Sequence, residues 1–241
     1  MTVSGADPAG GLAALLVEYD RSPGAAAPLA ILLDALAAAD APTSVHDPSA
    51  GLAIHIADSL SGLKVADLRA ATTIADLGAG AGLPGLVLAS VLPRARVFLV
   101  ESVRRKCEFL RETATAMSLP NAEVVCGRAE EWRDGLGRCD VVCARALAAL
   151  PVLCEYAAPL LREGGVLVAW KGAVGPDELA DASAAAAHLG LALEAPLAVV
   201  PYAGSERRTL YVARKIAPTP AGYPRRPGTA TKRPLSAKNL R

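Results

Sequence analysis

The stretch Asp76-Leu77-Gly78-Ala79-Gly80-Ala81-Gly82-Leu83-Pro84-Gly85 decides the reading of this 241-residue chain. The short apolar run 73–77 before it reads as a buried strand, and Leu83 to Leu92 after it as a helix. A glycine turn between strand and helix is where an open parallel sheet holds a ligand, outside the carboxyl ends of its strands. Glycine there permits positive φ and lets another molecule approach the backbone closely.

Working outward, strand and helix alternate. Apolar runs at 96–100, 122–126, 139–143 and 165–170 read as further strands. Helices fall near 84–92, 103–117, 128–133, 148–161 and 176–189. Such alternation predicts a parallel sheet with right-handed crossovers. Runs 191–202 and 208–214, joined by Gly204-Ser205-Glu206, predict a hairpin at the sheet edge. The expected fold is α/β: a Rossmann-like, seven-stranded, mostly parallel sheet of the class I methyltransferase kind. A helical extension (1–70) precedes the domain (71–216). A basic tail (217–241), rich in Pro and Gly, follows it and is expected to have little fixed structure. Within the extension, Asp47-Pro48 predicts a capped helix running to about Ser61.

Two cofactor classes use such a turn. Gly80-Ala81-Gly82-Leu83-Pro84-Gly85 fits a dinucleotide fingerprint, but so short a string is weak evidence. S-adenosylmethionine fits better. Asp76 ends the first strand two residues before Gly78, where a carboxylate can reach the methionine end. Glu101 ends the second strand, at the spacing that suits ribose hydroxyls. After the third strand, Ala129 and Glu130 offer a backbone N–H and a carboxylate to the adenine edge. After the fourth comes Cys143-Ala144-Arg145-Ala146, where a transferase places groups facing methyl donor and acceptor.

That segment bears on the acceptor. It lacks the Asn/Asp-Pro-Pro-aromatic pattern of exocyclic amine methylation. Pyrimidine C5 chemistry needs a cysteine nucleophile, but Cys143 follows Val141-Val142 as a core residue would. A ring nitrogen such as guanine N7 has a free lone pair and needs only alignment.

Composition sets the remaining bounds. Apolar residues are 52 % of the chain and aromatics 4 %, so Leu, Val and Ala fill the core. The charge-free stretch Leu77 to Pro93 holds four glycines and two prolines, which argues against a membrane span. The five cysteines form no CxxC pair, as expected of reduced thiols in a cytoplasmic protein. The net charge of +1 divides unevenly: ten basic residues and no acid follow Glu206, leaving 15 basic and 24 acidic residues up to it. A basic end on an acidic body suits a polyanion partner.

The glycine turn, His55-Ile56-Ala57-Asp58-Ser59-Leu60, Ser102-Val103-Arg104-Arg105-Lys106 with Phe109-Leu110, Arg128-Ala129-Glu130, Arg145-Ala146 and Lys171-Gly172 together resemble one family. It is the bacterial 16S rRNA guanine-N7 methyltransferases (RsmG, or glucose-inhibited division protein B). Order and spacing agree over about residues 45–214. The resemblance implies methyl transfer from S-adenosylmethionine to N7 of a guanine in 16S rRNA, in the small ribosomal subunit; a monomer that holds no metal is expected. Carried over by position, it places Gly78, Leu83, Ala129, Glu130 and Arg145 on the cofactor, beside Asp76, Gly80 and Glu101 from the turn. It places His55, Asp58 and Lys171 near the substrate and names no catalytic residue. The sequence departs from the family at Asp40-Ala41-Pro42-Thr43 and at Ile54. Two other classes stand beside this reading: a non-catalytic RNA-binding assembly factor, and a small-molecule methyltransferase or dinucleotide oxidoreductase.

Overall fold

The computed structural model of the chain describes residues 8–240. Alternation along the strands builds two hydrophobic layers, because successive side chains point to opposite faces. In β1 (Thr73–Leu77), Ile74 enters one core while Ala75 and Leu77 enter the other. In β2 (Arg96–Glu101), Val97 and Leu99 join Ile74, and Phe98 and Val100 face away. The sheet continues through β3 (Ala122–Cys126), β4 (Cys139–Arg145), β5 (Leu161–Lys171), β6 (Leu191–Leu193), β7 (Leu197–Ala198) and β8 (Thr209–Lys215). Its main path runs β3-β2-β1-β4-β5-β8-β6. Strands β1 to β5 pair in parallel, and β8 enters antiparallel to β5 and β6.

The seven-strand path is the one expected, with one refinement. Run 191–202 is not a single strand. It divides into β6 and β7, both antiparallel to β8, and their register shifts by one residue across 194–196. Pro196 sits in that break, where its missing N–H costs no ladder bond. β7 and β8 form the expected hairpin, but β8 itself lies inside the sheet.

Helices α1 (Pro8–Glu18) and α2 (Ala26–Ala37) cover one face beside α6 (Gly85–Val91) and α7 (Arg104–Ala116). Between them, α3 (Pro48–Gly51), a π-helical turn over Leu52–Ala57, and α4 (Asp58–Ser61) make one continuous rod. Asp47 caps that rod as expected, accepting from Ala50 N at 2.8 Å. A short α5 (Ala66–Ala70) leads into β1. Leu12, Leu29, Ile56, Leu60 and Leu68 share one core with Ile74 and Val168, so the extension is built into the domain. α8 (Leu150–Ala157) and α9 (Pro176–His188) cover the opposite face. The helix expected at 128–133 is two short 3-10 turns.

The tail differs from expectation. Residues 218–240 lie against the domain instead of standing free. Arg225 pairs with the buried Glu155 of α8, and Lys215 Nζ bonds Thr219 Oγ1. A last helix, α10 (Thr229–Lys232), buries Ala230, and Leu235 is buried beyond it. Proline and glycine content suggested an unfolded segment, but an ion pair to a buried partner, apolar anchors and hydrogen bonds to Glu130, Tyr156 and Asp181 tie it to the domain.

Candidate active site

The site lies at the carboxyl ends of β1, β2 and β4. Asp76 is fully buried. Its Oδ2 accepts from Gly85 N at 2.8 Å, fixing the turn to the strand, while Oδ1 has no partner among the described residues. Burial pushes the carboxyl up to about 7, and Gly85 N–H and Arg145 oppose that rise. A buried acceptor without a donor costs free energy, so Oδ1 suits a ligand cation. Close packing also fixes Gly85: a Cβ there would lie 2.2 Å from Leu99 Cδ2.

Glu101 is held by the same turn. Its Oε2 accepts from Gly80 N at 3.0 Å and its Oε1 from Val103 N at 2.8 Å. An ionised carboxylate has about four acceptor sites, so two hydrogen bonds orient it and leave others for hydroxyl groups. Gly78 has φ +65, and a Cβ there would lie 2.6 Å from Leu147 Cδ1. The turn thus forms a cradle that any side chain would fill. A cleft of about 80 Å³ opens beside Gly78 and Leu77, walled by Val100, Ala129, Glu130, Leu147 and Tyr156. Small-molecule sites measure roughly 300–1,000 Å³. Leu147 is the partly exposed wall of this cleft.

A second set of groups meets across the chain. Asp58 is fully buried, and Arg145 Nη1 donates to its Oδ2 at 2.9 Å. Arg208 Nε stands 2.8 Å from Oδ1 as an ion-pair contact without hydrogen-bond alignment. Arg145 also donates to Ile54 O at 3.1 Å. The next residue, Ala146, has φ +55, a strained conformation of the kind found at functional sites. Lys171 steadies this loop: Nζ donates to Ala148 O at 3.1 Å and pairs with Glu178 at 2.9 Å, and Glu178 accepts from Leu150 N.

His55 is buried, one turn before Asp58. Its Nε2 lies 3.2 Å from Val45 O and from Thr43 Oγ1, and Nδ1 has no partner among the described residues. Since a carbonyl only accepts, Nε2 carries the proton. Burial lowers the His55 pKa, which keeps the ring neutral. Cys143 is fully buried and burial raises its thiol well above the usual value, as a core residue requires.

The structure brings Asp76, Gly78, Gly80, Glu101, Ala129 and Glu130 around the turn, and His55, Asp58, Arg145 and Lys171 beside it. Leu83 is buried in the core behind the turn. Sequence reading missed Arg208, Glu178, Thr43, Tyr156 and Gly228. The tail Tyr223-Pro224-Arg225-Arg226-Pro227-Gly228, which resembles the family's, and Arg207-Arg208, a basic pair just after the last acid, carried a visible signal. Arg207 and Arg208 line a groove of about 390 Å³ with Gly172, Tyr202 and Ser205. Among the described residues no cluster of His, Cys, Asp and Glu could hold a metal, and no helix is long and apolar enough to cross a membrane.

The family model for rRNA small subunit methyltransferase G (GidB) matches residues 30–204. The chain belongs to that family. Curated proteins named ribosomal RNA small subunit methyltransferase G agree with it closely. The one from Deinococcus radiodurans is 44 % identical over 75 % of this chain and 73 % of its own length. The one from Rubrobacter xylanophilus is 43 % identical over 79 % and 75 %. Solved structures share the fold. A predicted O-methyltransferase from Agrobacterium tumefaciens has a TM-score of 0.51 and 28 % identity, covering 67 % of this chain and 80 % of its own. The Methanococcus jannaschii fibrillarin pre-rRNA processing protein has a TM-score of 0.52 and 19 % identity, covering 67 % and 74 %. The chain is accordingly an rRNA small subunit methyltransferase using a methyl donor of the S-adenosylmethionine type. The non-catalytic and small-molecule methyltransferase readings are not favoured.

Proposed function

We propose that this chain transfers the methyl group of S-adenosylmethionine to N7 of a guanine in 16S rRNA, in the cytoplasm. The observation that carries the cofactor is Asp76 Oδ1, a buried oxygen without a partner among the described residues, beside a glycine cradle. It suits the amino group at the methionine end. Glu101, already oriented by two backbone amides, suits the ribose hydroxyls. Ala129 and Glu130 border the cleft where adenine would lie. When bound, the cofactor supplies a methyl group on sulfonium, electrophilic enough to meet a neutral ring nitrogen.

The residues around the acceptor side are matched to that chemistry. Cys143 is a buried thiol. Lys171 is engaged by Glu178 and Ala148. His55 stays neutral and donates through Nε2 to the backbone. Guanine N7 has no proton to lose, so these groups serve by position: alignment of the nucleophile with the methyl group does the catalytic work. Arg208, held on Asp58, and Arg207 line the groove beside Gly172, a basic edge suited to rRNA phosphates.

The test is transfer of labelled methyl from S-adenosylmethionine to small ribosomal subunits from cells lacking this protein. Label is expected in N7-methylguanine of 16S rRNA, with none from a Gly78→Asp control. Label in another base or position would overturn the acceptor atom. No label above the control would overturn the enzyme reading.

A further inference from the structure

We propose that the segment 223–235 is a strap whose Gly228 amide positions Glu130 against the cofactor's adenine ring. This rests on the reading of Glu130 as an adenine contact. Gly228 N donates to Glu130 Oε1 at 2.9 Å. Among the described residues it is the one hydrogen-bond partner of that carboxylate. Gly228 has φ +76, and a Cβ there would meet nothing within 4 Å. Glycine is therefore present for the backbone turn that aims the N–H, since packing would admit a larger residue.

The strap is fastened on both sides of that bond. Arg225 grips both oxygens of buried Glu155 and donates to Arg233 O at 3.0 Å, closing the segment on itself. Thr231 Oγ1 lies 3.1 Å from Tyr156 Oη. Glu130 and Tyr156 both border the cleft beside Gly78, so the strap holds two residues of one wall. An amide–carboxylate bond is charge-assisted and stronger than a neutral one. Fixing the carboxylate before the ligand arrives removes an ordering cost from binding.

The experiment is titration calorimetry of the full chain with S-adenosylhomocysteine and with S-inosylhomocysteine, which lacks the adenine amino donor. Gly228→Pro removes the N–H and excludes positive φ. Gly228→Ala keeps the N–H. Expected are a tenfold or greater loss of S-adenosylhomocysteine affinity in Gly228→Pro, and a smaller loss in Gly228→Ala, which strains the positive φ but keeps the N–H. The preference for adenine over hypoxanthine should shrink in Gly228→Pro. A Glu130→Ala, Gly228→Pro double variant should bind no worse than Glu130→Ala alone, the signature of coupled residues. If Gly228→Pro does not fold, judged by its melting transition, Arg225→Gln with Glu155→Gln unfastens the strap and is read the same way. Equal affinity in parent and strap variants overturns the strap. So does a weakened variant with unchanged adenine preference, because general support would act on both ligands alike. A parent that binds neither ligand overturns the cofactor reading instead.

Discussion

Asp58 and Arg145 stand 87 residues apart in the chain and 2.9 Å apart in space. Arg208 closes on the other oxygen of the same buried carboxylate. Removing one member of a buried ion pair leaves a charge unpaired, at a cost of about 3–5 kcal/mol. The two arginines retain some solvent contact, so Asp58→Ala is expected to lower unfolding free energy by about 3 kcal/mol. Denaturant titration checks this. A change under about 1 kcal/mol, the range of an exposed pair, would mean that the triad contributes little to the fold.

Asp76 makes cofactor affinity depend on pH. Its carboxyl is raised, chiefly by burial, to about 7. Between about pH 4 and that value the folded chain holds a proton that the unfolded chain has lost, so this group's contribution to stability falls as pH rises through the window. An ammonium-bearing ligand favours the carboxylate, and its binding below neutrality must expel the proton. S-adenosylhomocysteine affinity should therefore climb from about pH 6 to about pH 8, with proton release visible in buffers of differing ionisation enthalpy. Asp76→Asn should bind about tenfold or more weakly and lose the slope. A parent whose affinity is flat across this range would remove Oδ1 as the ammonium's partner.

The turn was legible because its signals are local. A strand-end acid, glycines at fixed offsets and a following helix lie within ten residues. The sheet was legible for the same reason, since a buried parallel strand reads as a short apolar run. The Asp58 triad and the Gly228–Glu130 bond were not. Each joins segments 87 or more residues apart, and nothing near Arg208 or Gly228 names its partner. Pro196 was visible but was read inside one extended run, whereas it marks the break between β6 and β7.

At Gly78 the constraint is double: positive φ, and a Cβ position 2.6 Å from Leu147 Cδ1. Gly78→Ala is expected to fold, because Leu147 is a movable side chain at the surface, yet to bind S-adenosylhomocysteine about a hundredfold or more weakly. Adding Leu147→Ala should restore only part of this, since the backbone strain persists. Full recovery in the double variant, measured by calorimetry, would show that side-chain crowding alone matters.

Arg226, Lys232, Arg233 and Lys238 are exposed on the folded tail. Each phosphate neutralised by such a cation contributes about 0.7 to the salt slope of single-strand RNA binding. Replacing all four by serine is expected to flatten the slope of log affinity against log salt accordingly, with the melting temperature nearly unchanged. A slope equal to the parent's would assign these cations to solubility.

The bond between Gly228 and Glu130 also has a consequence in time. Ribosomes add about 5–20 residues per second, and the two partners are 98 positions apart. Glu130 is therefore made roughly 5 to 20 seconds before the amide that holds it. During that interval the glycine turn and the strands around it can already pack, while one wall of the pocket waits for its fastening. A nascent chain of this enzyme would gain its sheet before it gains its grip on the methyl donor.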